Sequence, residues 1–585
     1  MKAESNFERL ISVYGQELDR LCPLPEYPRP QLVRTSYLNL NGVWQYAILP
    51  ENSKLTAYQG DIIVPFSPEC ILSEVERIVM PDDILYYKRT FTLPKDFNVG
   101  RVILHFGAVD YKAKVTVNST VVATHKGGYL PFSADITEAL IEGENTLLVK
   151  VTDPTDSGVQ ARGKQKLNRG GIWYTPSSGI WQTVWLESVP KQYIKNIKIT
   201  PDIDKSTVNI KVMVDGDAEG TVAIFDTNKL LQISPLKNSE ATINIPQVKL
   251  WSPEQPFLYD IAINVDSDTV TSYFGMRKFS IGCDAEGVQR IMLNNQPYFH
   301  NGLLDQGYTS DGLYTFASDK MIEDEIKLVK DMGFNMLRKH IKVEPLRWYY
   351  HCDKQGVLVW QDMVNGGGKA NTPLNGILGQ LALLFKIKAK DTNYWLTNRQ
   401  SKSGRKKYYK DTEETIDLLY NSTSVCQWVL FNESWGQFDS QKVEEFARNL
   451  DNTRTFDTVS GWHDQGGGDF ISLHIYFTKI FFPKDKRVQA LSEFGGYGHK
   501  VAGHNFNKTH TFGYKNYKTL SDLENAYHKL YNEQISPLIP KGLSALVYTQ
   551  LTDVEDEING ILTYDRKVVK LDIQKLKALN NKLKF

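Results

Sequence analysis

At 585 residues the chain is too long for a single hydrophobic core, and the usual ~100 to 200 residues per domain points to three or four folded units. Apolar residues make up 41% and charged residues 23%, an ordinary balance for a globular protein. Lys plus Arg (68) equals Asp plus Glu (68), so the overall charge recruits neither nucleic acid nor an anionic membrane, and a small neutral substrate suits it better.

The chain starts MKAESNFERL, with acidic and polar residues where a secretory signal would place its apolar stretch, and it holds no run of about 18 apolar residues. Five cysteines (Cys22, Cys70, Cys283, Cys352, Cys426) are scattered and never form a CxxC spacing. A cytoplasmic, reduced protein is therefore expected, with each cysteine read as a small buried apolar residue.

From about Asn39 to Val189 short alternating runs are bounded by turn residues, as in Val115-Thr116-Val117 entering Asn118-Ser119. This spacing predicts an antiparallel sandwich, assigned to residues 1–190. A second all-β stretch, residues 191–285, has alternating runs at Val208 to Val214, Ala241 to Ile245 and Leu258 to Val265, the length and pattern of an immunoglobulin-like sandwich.

Near Gln289 the periodicity changes. Ser318 to Gly333 carries Ile322, Ile326 and Val329 on one helical face, with a Ser/Asp start and a Gly stop. A strand (Asn335 to Arg338), a helix (Pro345 to Lys354), a strand (Val357 to Trp360), a helix (Asp411 to Tyr420) and a strand (Val425 to Phe431) follow. The alternation continues through helix Ser440 to Leu450 and strands near Thr458, Ile471, Gln489 and Leu546. About eight strands in residues 286–585 predict a closed (β/α)8 barrel, its first strand at Gln296 to Gly302 and its eighth at Ser544 to Gln550. The segment Asn365 to Lys410 is a long connection that leaves the catalytic face of such a barrel, where a lid would sit.

Strand four runs Trp428-Val429-Leu430-Phe431-Asn432-Glu433, an apolar run ending in a carboxylate that a buried strand does not need. Strand seven ends in the same way, at Leu491-Ser492-Glu493-Phe494-Gly495. On opposite sides of the barrel the two glutamates face each other across its mouth. Retaining glycoside hydrolysis needs two carboxyl groups about 5 to 5.5 Å apart, one attacking the anomeric carbon and one protonating the leaving oxygen. Glu433, beside Phe431 and Trp435, is expected to be protonated near neutrality and Glu493 ionised.

With these motifs the chain resembles glycoside hydrolase family 2, the β-galactosidases, β-glucuronidases and β-mannosidases. Leu40-Asn41-Gly42-Val43-Trp44, Gly107-Ala108-Val109-Asp110 and Gly179-Ile180-Trp181-Gln182 resemble its jelly-roll sugar-binding domain. Trp251-Ser252-Pro253 and Phe274-Gly275-Met276-Arg277 resemble its immunoglobulin-like domain, and Asn432-Glu433 and Ser492-Glu493-Phe494-Gly495 its acid/base and nucleophile motifs. The resemblance implies that Asn432 binds the sugar 2-hydroxyl and that Tyr476 orients the nucleophile. It places Trp462, His463, Asp305, His340 and Asp362 around the pocket.

The chain departs from the family at Glu557-Ile558-Asn559-Gly560, where β-glucuronidases have an Asn-x-Lys pair for the sugar carboxylate. An acid stands in the Asn place and the lysine is missing, which disfavours a glucuronate. A terminal β-linked neutral sugar is expected, a β-galactoside first, with a β-mannoside or another neutral sugar as alternatives. A non-catalytic carbohydrate-binding protein is the alternative from another class, and transglycosylation uses the same two glutamates. The mechanism requires no cofactor; some β-galactosidases of the family use Mg2+, but no carboxylate cluster here is specific enough to assign a metal. Family members form dimers and tetramers through surfaces that carry no motif. HExxH and GxSxG are absent, and Gly366-Gly367-Gly368-Lys369 lacks the spacing of a phosphate loop.

Overall fold

The computed structural model describes residues 6–368 and 390–585. Residues 369–389, the middle of the long connection expected to act as a lid, lie outside the described residues.

The first unit is a two-sheet antiparallel sandwich. One sheet has six strands in the order Gly60–Val64, Gly42–Pro50, Asp83–Thr92, Glu144–Thr152, Lys112–Val117, Thr120–Lys126. The facing sheet has four strands, Tyr37–Asn39, Val184–Val189, Arg101–Phe106 and Phe132–Asp135. Strict alternation produces the core: Leu147, Val149 and Val151 point inward beside Val115 and Val117, while Lys150 and Lys114 point outward. The second unit packs a three-stranded sheet (Asn196–Asp202, Thr207–Met213, Glu240–Asn244) on a four-stranded one that includes Gly220–Asp226 and Tyr259–Val265. Val208, Ile210, Val222, Ile261 and Ile263 fill the space between them.

The third unit is an eight-stranded parallel sheet curled into a barrel. Its strands are one (His300–Asp305), two (Met336–Lys339), three (Leu358–Asp362), four (Val425–Asn432), five (Thr455–Ser460), six (Phe470–Ile475), seven (Val488–Gly495) and eight (Leu543–Thr549). They are hydrogen-bonded in the order five-four-three-two-one-eight-seven-six, which brings strands five and six together at the seam. Strands four and seven are thus three positions apart around the barrel, not diametrically opposite.

Two expected boundaries shift. Gln296–Pro297 is a separate short strand that turns back on Gln289–Leu293 through Asn294 and Asn295, both in the left-handed region, so barrel strand one begins only at His300. The helix expected at Asp411 begins at Lys402, capped by the Ser401 hydroxyl, which accepts from Gly404 N. The helix Asp319–Asp331 has the predicted Ser318 cap and buries Ile322, Ile326 and Val329. At ~1.5 to 3 kcal/mol for each buried aliphatic side chain, that stripe holds it on the barrel.

The two sandwiches are joined by a buried ion cluster. Arg34 donates to both oxygens of Asp268 (3.0 and 2.7 Å) and to Glu187 (3.2 Å), which also receives Arg29. Burial works to raise the Glu187 carboxyl, but Arg29, His105 and Arg34 outweigh it and leave it below the usual range. Substituting Arg34→Met leaves Asp268 and Glu187 buried without this partner, and should cost about 3 to 5 kcal/mol in chemical denaturation. An unchanged unfolding midpoint would show that the cluster does not hold the joint.

Candidate active site

The C-terminal ends of the barrel strands gather one dense polar cluster. Strand two is buried on every side yet carries Arg338, whose side chain is 0% exposed. An unpaired cation there would cost several kcal/mol, and the surrounding strands supply its partners. Asp362 on strand three takes it in a bidentate pair at 2.9 and 3.0 Å. Asn432 Oδ1 on strand four accepts at 2.8 Å, and on strand seven Ser492 O accepts at 3.0 Å and Glu493 Oε1 at 3.3 Å.

Glu493 is fixed from its other side as well. The Tyr476 hydroxyl donates to Oε2 at 2.6 Å, and its ring stacks on Tyr514 at 3.7 Å. Burial pushes the Glu493 carboxyl up, but His474, Arg338, His340 and Lys164 outweigh it and hold it at about 2. Its charged form is thus the stable one throughout the neutral range.

Glu433 follows strand four directly. It and Ser434 both have positive φ (50° and 56°), a conformation costly for non-glycine residues, which swings the Glu433 side chain back over the mouth. Its carboxylate meets His474 Nδ1 at 2.9 Å, and the same nitrogen is 3.4 Å from Glu493 Oε2. One oxygen of each glutamate and a ring nitrogen of His474 all lie within 4.8 Å of one another. On its far side His474 Nε2 meets the Ser460 hydroxyl at 3.0 Å, part of a buried chain running through Ser492 (2.9 Å) and Ser472 (2.6 Å) to Asp457 (2.7 Å). Burial lifts the Asp457 carboxyl to about 6.

The other expected pocket residues divide into two groups. His340 Nδ1 contacts Asp362 Oδ2 at 2.9 Å, placing both beside Arg338. Trp462 lies edge-on to His474, and buried nitrogens of Trp462 and of His463 have no partner among the described residues. Asp305 is turned away: it pairs with Lys339 at 2.5 Å, whose ammonium also meets Glu344 and lies over the Trp348 ring of an outer helix. It belongs to the packing between strands and helices, not to the carboxylate pair.

The side chains in the departing stretch form a polar wall. Gln306 donates to Gln550, Gln550 to Asn559 and Asn559 to Glu557 (2.8, 2.8 and 2.9 Å), and the Tyr174 hydroxyl closes the row on Glu557. Tyr174 belongs to the first sandwich, whose loop Gly158 to Thr175 reaches over the barrel mouth. The loop is pinned there by backbone bonds from Arg162 and Gly163 to Asn365 O and by Arg162 to Gly367 O.

Arg338, His474 and this loop are the site residues that sequence reasoning missed. A charged residue inside Met336-Leu337-Arg338 and another inside Leu473-His474-Ile475 were visible as anomalies in buried strands; the loop had no local signal. Among the described residues the trio Glu433, His474 and Glu493 is the donor set that could hold a metal ion, yet its atoms already bond one another, Tyr476 and Arg338.

Three family models match the chain: glycosyl hydrolases family 2, sugar binding domain, over residues 81–190; glycosyl hydrolases family 2, over 192–277; and the family's TIM barrel domain, over 288–539. Among similar proteins, a putative β-glucuronidase of Formosa agariphila is 25% identical over 62% of this chain and 42% of its own length. A β-galactosidase of Lactococcus lactis is 24% identical over 80% of this chain and 46% of its own. The chain thus spans less than half of either relative. A β-D-glucuronidase structure from Dictyoglomus thermophilum superposes with a TM-score of 0.73 over 95% of this chain and 99% of that one, at 18% identity. A Lactobacillus rhamnosus β-glucuronidase superposes with a TM-score of 0.74 over 95% and 98%, at 20%.

The charge balance around Glu493 can be read directly by carboxyl 13C NMR of glutamate-labelled protein, with Glu493→Gln to assign the signal. Ordinary glutamates titrate near ~4.3, and the Glu493 signal should stay ionised through that range. In His474→Gln it should titrate at higher pH than in the unmodified chain. A signal that titrates with the ordinary glutamates in the unmodified chain contradicts the assigned balance.

Proposed function

The chain belongs to glycosyl hydrolases family 2, and on that premise we propose that it is a retaining exo-β-glycosidase with Glu493 as nucleophile and Glu433 as acid/base. The observation that carries this reading is the separation of the two carboxylates. One oxygen of each lies within 4.8 Å of the other, which fits the ~5 to 5.5 Å of a retaining pair better than the ~6.5 to 9.5 Å that makes room for an inverting enzyme's water.

In the first step Glu493, ionised and aimed by Tyr476 and Arg338, attacks the anomeric carbon while Glu433 gives its proton to the leaving oxygen. A glycosyl ester forms on Glu493. In the second step Glu433, now the base, takes a proton from water as the water attacks the same carbon and releases Glu493. Negative charge therefore moves from Glu493 to Glu433 and back. His474 Nδ1, 2.9 Å from one and 3.4 Å from the other, is placed to face whichever carboxylate carries it. Asn432, held by Arg338, is assigned to the sugar 2-hydroxyl. We assign the reaction to these side chains alone, with no cofactor.

For the sugar we propose a neutral residue, a β-galactoside first. Glu557 supports this, since a uronate carboxylate would meet the acid of the Gln550-Asn559-Glu557 wall. A β-glucuronide is the second reading, favoured by the names of several relatives and by Lys164, whose charge reaches Glu493.

With 4-nitrophenyl β-glycosides, Glu493→Gln should lose turnover altogether. Glu433→Gln should fall about 10² to 10⁴-fold on poor leaving groups and less on dinitrophenyl glycosides, which need no proton. Azide should rescue Glu433→Ala as the β-glycosyl azide. Unchanged hydrolysis by Glu493→Gln, or an α-configured azide product, would overturn the assignment. Comparing nitrophenyl β-galactoside, β-mannoside, β-glucoside and β-glucuronide tests the sugar: faster turnover of the β-glucuronide than of the β-galactoside favours the second reading.

A further inference from the structure

The loop Gly158 to Thr175 crosses the mouth beside Glu433, and apart from Lys164, whose charge reaches Glu493, its side chains are not used by the two catalytic steps. Trp173 meets Trp435, two residues beyond Glu433, at right angles with 5.1 Å between ring centroids. The indole nitrogen of Trp435 is buried with no hydrogen-bond partner among the described residues, and the residue is 8% exposed. A buried N–H donor is costly to leave open, so an acceptor entering the mouth would be favoured there.

The same loop carries a local excess of positive charge in a chain whose overall charge is zero. Lys166 lies 5.1 Å over the Trp173 ring and Lys164 lies 5.8 Å over Tyr174. Neither ammonium has a carboxylate within ion-pair distance among the described residues, and both lysines are only partly exposed. The acids nearest in the sequence of the wall have their own donors: Glu555 and Asp556 hold Arg169, and Glu557 holds Tyr174 and Asn559. Two cations with no carboxylate partner among the described residues, Lys166 over Trp173 and Lys164 over Tyr174, make with the indole pair a surface suited to a sugar ring that bears a negative group. The indoles supply apolar faces and a hydroxyl acceptor's partner, and the ammonium groups supply the counter-charge.

We propose that Trp173, Trp435, Lys164 and Lys166 form the leaving-group subsite, and that the residue they take is an anionic sugar, carrying a carboxylate or a sulfate. This rests on the retaining reading above, because a retaining enzyme's glycosyl ester can be attacked by a sugar bound in the leaving-group subsite in place of water. In that transfer the acceptor hydroxyl loses its proton to Glu433, its oxygen bonds to the anomeric carbon, and the Glu493 ester bond breaks.

The test is acceptor competition on the full chain, with whichever nitrophenyl glycoside it turns over as donor. Methyl α-glucuronide, galactose 6-sulfate and methyl α-glucoside are added at equal concentration and products are separated by charge. The two anionic acceptors should give a transfer-to-hydrolysis ratio at least about tenfold above that of the neutral one, as expected for one charge-assisted contact of about 1.4 kcal/mol. Preference for one of the two anions alone assigns the subsite to carboxylate or to sulfate. Lys166→Gln and Trp173→Ala should each lower the preference, read as a ratio so that a change in hydrolysis rate does not enter.

Equal ratios for charged and neutral acceptors overturn the proposal. So does a Lys164→Gln, Lys166→Gln pair that keeps the acceptor preference and loses only β-glucuronide turnover, since the cations then serve the bound sugar. If no nitrophenyl glycoside is hydrolysed at all, it is the glycosidase reading that fails.

Discussion

One buried cation organises the catalytic end of the barrel. Arg338 rises from strand two into the buried end of the barrel, and its guanidinium spans strands three, four and seven through Asp362, Asn432, Ser492 and Glu493. Its burial makes partners obligatory, and its planar fork makes their directions specific. The catalytic geometry follows from this constraint. Asn432 is aimed by Arg338, Glu493 is held ionised beside it, and Glu433 is carried to the next position along the chain. The charge that a fold of this size would normally exclude from its core is what positions Asn432 and Glu493.

Glu493 and Glu433 have similar side chains and different surroundings. Glu493 is nearly enclosed, with Arg338 and His474 to counter its charge and the Tyr476 hydroxyl on one oxygen. Glu433 is more open, its side chain 19% exposed, and stands at the aromatic edge of the mouth beside Trp435. His474 links them, and the serine chain behind it fixes the imidazole from strands five, six and seven. The first sandwich completes the mouth from outside the barrel, through Tyr174 on the wall and through Trp173, Lys164 and Lys166 above it.

Much of this was legible in the sequence because it obeys local periodicity. The alternation in Leu147 to Val151, the capped stripe of Asp319–Asp331 and the apolar strands that bring Glu433 and Glu493 to the barrel mouth are each readable within a few residues. Boundaries slipped where a turn imitated a continuing strand, as at Asn294-Asn295. The family resemblance puts Asp305 at the pocket, but its side chain follows the outward register and meets Lys339. Roles that depend on long-range contact left no trace in spacing. Lys164 lies far from Glu493 in sequence, and only the folded chain shows its charge reaching that carboxylate.

The central claim, a covalent intermediate on Glu493, is open to one direct measurement. A 2-deoxy-2-fluoro glycosyl fluoride of the preferred sugar slows both steps, the second more, and should leave the fluorosugar on the protein. Intact mass should rise by one fluoroglycosyl unit, and peptide mapping should place it on Glu493 in the peptide containing Ser492-Glu493-Phe494. Activity should return as the label is lost to an added acceptor. A label on Glu433, or turnover of the fluoride without any covalent species, would contradict the account.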